Sequence, residues 1–186
     1  MMRTIATRVA ITGGAGEGKS VVRRYLAEQG FPTLDSDDIV DELWTRPTLR
    51  EEIAAALGLS DNFSKPDVAQ RIFGDDQARR TLNAIFHEEV VQEIFSQPPA
   101  FVEVPLLIEA VLHPRFDAVW TVSCGSEMQI ERLQERGWSP ARIEGTLDSQ
   151  VTSKVRRVFA DCVIRTDETL ENVYRQIDKA CALTLS

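Results

Sequence analysis

Eight consecutive residues near the start of the chain, Gly13-Gly14-Ala15-Gly16-Glu17-Gly18-Lys19-Ser20, have the composition of a phosphate cradle. Glycines at 13, 14, 16 and 18 let the backbone curl so that successive N–H groups converge on an anion. Lys19 adds a mobile positive charge, and the Ser20 hydroxyl is a hard ligand suited to magnesium. The loop follows an apolar run, Val9-Ala10-Ile11-Thr12, and precedes a helical pattern from Lys19 to Gln29 that Gly30 stops. A strand, a glycine loop and a helix in that order add the helix's unpaired N-terminal donors to the cradle. The reading is a nucleoside triphosphate site, with Gly14 to Val21 as the binding segment.

Further chemistry-bearing residues follow. Phe31-Pro32-Thr33-Leu34 reads as a second strand running into Asp35-Ser36-Asp37-Asp38. Carboxylates at the C-terminal end of a strand face the ligand crevice of an open α/β sheet, and they also cap helices; the local pattern suits both roles. Glu103 interrupts the apolar strand Ala100–Val104, either to help place magnesium or to face solvent. His87 lies off the apolar stripe of the longest helical pattern, which by itself favours a structural or solvated role. Arg132, Arg136, Arg142, Lys154, Arg156 and Arg157 make the densest basic stretch, interleaved with Glu127, Glu131, Glu135 and Glu144. That stretch is either a solvated helix face or an arginine-bearing lid over transferring phosphates.

Strands are also expected at Ala118–Val122 and Ala160–Ile164. Helices are expected within 45–97, broken at Pro47, Gly58 to Asp61 and Gly74, with starts at Thr48 and Asp67 and a long one from about Asp75 to Ser96. Ser126 reads as the cap of a helix to Arg136, Ser139-Pro140 opens a second to about Lys154, and a last runs from Glu168 to Leu183. Alternating strands and helices imply a mostly parallel five-stranded sheet covered on both faces, an α/β three-layer P-loop NTPase fold. The chain divides into a nucleotide core (about 1–38, 98–128 and 158–186), a helical acceptor-binding insertion (about 39–97) and a lid (about 129–157), together forming one domain of 186 residues.

Charge and composition narrow the partners. A net charge of −8 argues against nucleic acid as a partner and demands that Lys and Arg be concentrated wherever an anionic nucleotide binds. No apolar run is long enough for a membrane span, and Met1 to Thr7 carries no apolar signal core. Cys124, Cys162 and Cys181 are odd in number and widely spaced, with no metal or redox motif, so a reducing, cytoplasmic setting is expected. The expected assembly is a monomer or weak homo-oligomer. None of the 10 glycines has Asp three residues before it and Asn-Lys-x-Asp is absent, which argues against a switch GTPase and for a compact kinase.

The motifs, taken in order, resemble those of the dephospho-coenzyme A kinase family along nearly the whole chain. Thr12 to Ser20, Asp35-Ser36-Asp37, Leu82-Asn83-Ala84-Ile85-Phe86-His87 and Val104-Pro105-Leu106-Leu107-Ile108-Glu109 carry the likeness. So do Gln129, Arg132, Leu133 and Arg136, and Gln150 followed by Ala160-Asp161-Cys162-Val163-Ile164. The resemblance implies transfer of the ATP γ-phosphoryl group to the ribose 3′-hydroxyl of dephospho-CoA, with Mg2+ bound through Ser20. It implies Asp37 as the base, Asp35 as its support or as holder of a magnesium-bound water, Lys19 on the phosphates, and Arg132 and Arg136 as neutralising lid residues. His87, Pro105 and Leu106 would contact the acceptor.

The chain departs from the family in three places. Arg165-Thr166-Asp167-Glu168 stands where the adenine-contacting loop usually has Asn and Gly, Glu88 replaces a Pro, and Glu17 replaces a small residue. A carboxylate beside a triphosphate is unfavourable unless it turns outward, so Glu17 is expected to weaken ATP binding. Two other readings fit the same motifs: a kinase for a different small acceptor, and a non-catalytic nucleotide-binding module.

Overall fold

The computed structural model describes residues 3–185. These divide into two compact units, one made of residues up to Asp35 and from Pro98 onward, the other spanning Ser36–Gln97.

The first unit is built on a sheet of β1 (Val9–Thr12), β2 (Thr33–Asp35), β3 (Phe101–Glu103), β4 (Ala118–Ser123) and β5 (Cys162–Arg165). The strand order is β2-β3-β1-β4-β5 and every pairing is parallel. Such strands are buried on both sides and therefore read as continuous apolar runs; β1 and β4 are buried at every position. Chain order reverses at β1, which lies between β3 and β4, so the ligand crevice of this topology opens at the C-terminal end of β1. The glycine loop emerges there and leads into α1 (Lys19–Glu28).

Helix α1 lays Val22 and Leu26 on the sheet, and α9 (Leu170–Thr184) adds Val173 and Ile177 to the same core. The two helices meet through the stacked rings of Tyr25 and Tyr174, whose centroids are 4.1 Å apart. Phe101 packs edge-on against Phe31 and tilted against Trp120 at 5.1 Å. Beyond β4 come α6 (Ser126–Glu135), α7 (Pro140–Asp148) and α8 (Ser153–Val158).

The second unit is helical. Helices α2 (Ser36–Leu43), α3 (Pro47–Leu57) and α4 (Lys65–Ile72) pack on the long α5 (Asp76–Ser96). Leu82, Val90 and Ile94 form its buried stripe, while Ile85 and Phe86 are only half-buried, Phe86 resting on Trp44.

Several boundaries differ from the sequence pattern, each for a capping reason. Ser64, not Asp67, caps α4; Asp67 is the third helical residue, and the two close a reciprocal capping box. Pro47 rather than Thr48 begins α3, its missing N–H costing nothing at that position. Ser126 lies inside the first turn of α6, capped by Gly125 in a positive-φ conformation. The single helix expected from Ser139 to Lys154 is two, because Thr152 caps a new helix by accepting from the Val155 N–H.

Phe101→Ala is expected to cost about 3–5 kcal/mol, since it opens a cavity between Phe31 and Trp120 that the sheet cannot collapse into. Urea unfolding would measure this; a loss near that of an exposed substitution would show that the cluster is not part of the folding core.

Candidate active site

The glycine loop keeps its shape because its carbonyls are all engaged. Lys19 Nζ donates to the Gly13 and Gly14 oxygens at 2.9 and 3.1 Å. Gln129 Nε2 donates to the Ala15 oxygen at 2.8 Å, Arg132 Nη1 to the Gly16 oxygen at 3.4 Å, and Thr166 Oγ1 to the Glu17 oxygen at 2.7 Å. The Gly18 oxygen accepts from the N–H groups of Val21 and Val22. The start of α1 adds the positive end of its dipole to this loop, which favours an anion there.

Three loop positions with positive φ require glycine. A Cβ at Gly13 would lie 2.8 Å from the Val122 carbonyl oxygen, and at Gly16 (φ +78°) or Gly18 (φ +95°) it would press on Leu133 and Gln129 or on Thr166.

Glu17 lies inside this cradle rather than outside it. Its carboxylate accepts the Gly14 N–H and stands 3.3 Å from Arg156 Nη1, with both side chains 3% exposed. The opposite side of Arg156 faces Glu109 at 3.6 Å. Ala15 N–H donates to Gln150 Oε1, so Gln129 and Gln150 grip the same residue from its two polar groups. The charge repulsion expected at Glu17 is thus answered locally by a buried guanidinium from α8.

A second cluster lies on the other flank of the loop, across β3. Asp35 and Glu103 are register partners on β2 and β3. Arg23 bridges them, at 2.9 Å to each carboxylate, and Ser20 Oγ lies 3.5 Å from Glu103. Of the two orientations open to Glu103, the structure has the buried one. Burial pushes its carboxyl above the ordinary value, Arg23 opposes this, and the Asp35 charge adds to it. Arg23 escaped the sequence reading, although its spacing of three from Ser20 puts both on one face of α1.

Of the lid arginines, Arg132 reaches the loop and also grips Thr166 through its hydroxyl and its carbonyl, while Arg136 is exposed at the C-terminal cap of α6. Pro105 offers its carbonyl to the Thr12 hydroxyl, and Leu106 is half-exposed. Asp37 lies in the first turn of α2 and His87 on α5, both exposed and both in the second unit. At the end of β5, Arg165 Nε donates to Asp167 at 2.9 Å, and this bond holds the Asp167 carboxyl below its ordinary value.

A family model described as dephospho-CoA kinase matches residues 7–172. The chain belongs to the dephospho-CoA kinase family. It is 31% identical over 185 residues to the dephospho-CoA kinase of Streptococcus mutans, covering 91% of this chain and 93% of that one. Among solved structures, TT1252 from Thermus thermophilus aligns with a TM-score of 0.84 at 25% identity, over 98% of this chain and 100% of that one. The dephospho-CoA kinase from Campylobacter jejuni aligns at 0.70 and 20% identity over 96% of each chain, a likeness of fold. In this chain two glutamines hold Ala15, and the glycine loop carries a buried Glu.

The Arg23 bridge has a pH signature. A carboxyl raised in the folded state contributes stability that is fully present below its unfolded value, about 4.3 for Glu, and lost as pH rises through the folded one. Arg23→Ala removes the charge that opposes the rise at Glu103. The variant is expected to lose little stability near about pH 4 and about 2–3 kcal/mol near about pH 7, below the range for a fully enclosed pair because the Arg23 side chain is 28% exposed. Urea unfolding across that interval checks it; a loss independent of pH would contradict the bridge.

Proposed function

We propose that this protein is an ATP-dependent kinase that transfers the γ-phosphoryl group of ATP to the ribose 3′-hydroxyl of dephospho-CoA, giving CoA and ADP. The observation that carries the reading is the glycine loop at the C-terminal end of β1, flanked by Ser20, Asp35 and Glu103, in a chain of this family. Phosphoryl transfer needs alignment and charge neutralisation more than covalent help.

In this reading the N–H groups from Gly14 to Ser20 and the start of α1, with Lys19, hold the β- and γ-phosphates. Lys19 is already fixed at the loop by two carbonyls, so its charge is positioned before the nucleotide arrives. Arg132 and Arg136 neutralise charge on the transferring group from the lid side. The oxygen donors near Ser20 fit magnesium, a hard cation that takes hydroxyl, carboxylate and phosphate oxygens. When bound, it screens the phosphates and helps set their geometry.

Asp37 orients the acceptor hydroxyl and takes its proton, and Asp35 supports it. His87, Pro105 and Leu106 contact the acceptor; exposure of His87 and Leu106 leaves both available to a ligand.

Asp37→Asn is expected to fold normally and lose about 10²–10⁴-fold in kcat, the usual worth of a positioned base. Turnover near wild type would remove Asp37 from the mechanism. Lys19→Ala is expected to abolish detectable turnover and to weaken ATP binding in calorimetry; unchanged binding would contradict the phosphate role. Incubation with magnesium-ATP and a panel of acceptor alcohols, followed by product mass, tests the acceptor. Phosphorylated dephospho-CoA is the expected product, and turnover of another acceptor alone, or none, would overturn the assignment.

A further inference from the structure

Arg156 is a buried cation with unmet hydrogen-bond donors. It is 2% exposed, and its Nε and Nη2 have no hydrogen-bond partner. Its two neighbouring acids differ in kind. Glu109, at 3.6 Å, is tied to the backbone by accepting the Val151 N–H. Glu17 belongs to the phosphate loop itself, at 3.3 Å, and also takes the Gly14 N–H. The guanidinium lines a cavity of about 480 Å³ together with Glu17, Gln150, Lys154 and Arg157. Nη1 is held by Glu17 and Nη2 faces Glu109, and a buried guanidinium on a cavity that two further cations line is suited to receive an anion. One of its donors is already taken by a carboxylate of the chain.

We propose that Glu17 is an internal counter-ion that competes with nucleotide phosphate for Arg156 and so sets the phosphate affinity of the loop. The inference rests on the nucleotide-binding reading given above and deepens it. Without ligand, Glu17 and Glu109 together balance the buried Arg156 charge, and loss of Glu17 leaves Nη1 without its acceptor, which is destabilising. With a phosphate in the cavity, the ligand supplies the negative charge and the Glu17 carboxylate must give way. Glu17 therefore stabilises the empty protein and weakens phosphate binding, two effects of opposite sign from one side chain. A purely structural ion pair would show only the first. Simple repulsion of the nucleotide, with no partner for Glu17, would show only the second.

The test compares wild type with Glu17→Gln, which keeps the shape and an acceptor for the Gly14 N–H but removes the charge. Calorimetric titrations use ADP, inorganic tripolyphosphate and adenosine, alongside thermal unfolding of the ligand-free proteins. Glu17→Gln is expected to bind ADP and tripolyphosphate about tenfold more tightly, the worth of one charge-assisted hydrogen bond. Its adenosine affinity is expected to be unchanged and its ligand-free unfolding temperature lower. Equal phosphate affinities, an equal gain for adenosine, or an unchanged unfolding temperature would overturn the inference. A wild type that binds ADP and tripolyphosphate as tightly as the variant sinks this inference alone. A wild type that binds neither sinks the nucleotide reading with it. If Glu17→Gln does not fold by circular dichroism, Glu17→Asp takes its place, keeping the charge near Gly14 while retracting it from Arg156. It is expected to tighten tripolyphosphate binding severalfold, and no change would overturn the proposal.

Discussion

The structure depends on a constraint set by the backbone of one loop. A ribbon that offers N–H groups to an anion must turn its carbonyls the other way, and a buried carbonyl without a donor is costly. From Gly13 to Gly18 every carbonyl has a donor, and those donors come from Lys19, Gln129, Arg132, Thr166 and the start of α1. The rest of the first unit is arranged to deliver them. Parallel pairing places β4 beside β1 and β5 beside β4, and α6, which follows β4, and Thr166, which follows β5, both reach the loop. The loop is accordingly a tertiary object, although it reads as a local motif.

Two charge clusters flank it and differ in sign logic. On the β3 side, one cation, Arg23, serves two carboxylates beside Ser20. On the α8 side, one cation, Arg156, also stands between two carboxylates, but one of them is part of the loop. Each arrangement offsets the cost of burying its charges only through partners held in place by several elements. Both place charged groups of the chain beside the loop that the proposed reaction would use for a polyanion and its metal.

The cysteines illustrate how packing removes chemistry that composition leaves open. Burial raises the Cys124 and Cys162 thiols and pushes Cys181 up to about 12, so none of the three is a thiolate near neutral pH. Their spacing in sequence offers no motif, and burial disfavours the thiolate form at each.

By itself the sequence determined the parallel α/β sheet, the glycine loop and its helix, and the family, because these rest on short-range periodicity and on residues at fixed offsets. Helix ends such as Ser64 and Thr152 were less legible, since several Ser, Thr and Asp residues compete to cap and backbone geometry chooses among them. What tertiary structure alone decided is which charges meet. Glu103 reads equally as solvent-facing or buried until Arg23 and Asp35 are placed beside it. Glu17 reads as a misfit in a phosphate loop until Arg156, 139 positions further along the chain, supplies its counter-charge. Ion pairing depends on distances of a few ångströms between residues far apart in sequence, and no local pattern encodes that.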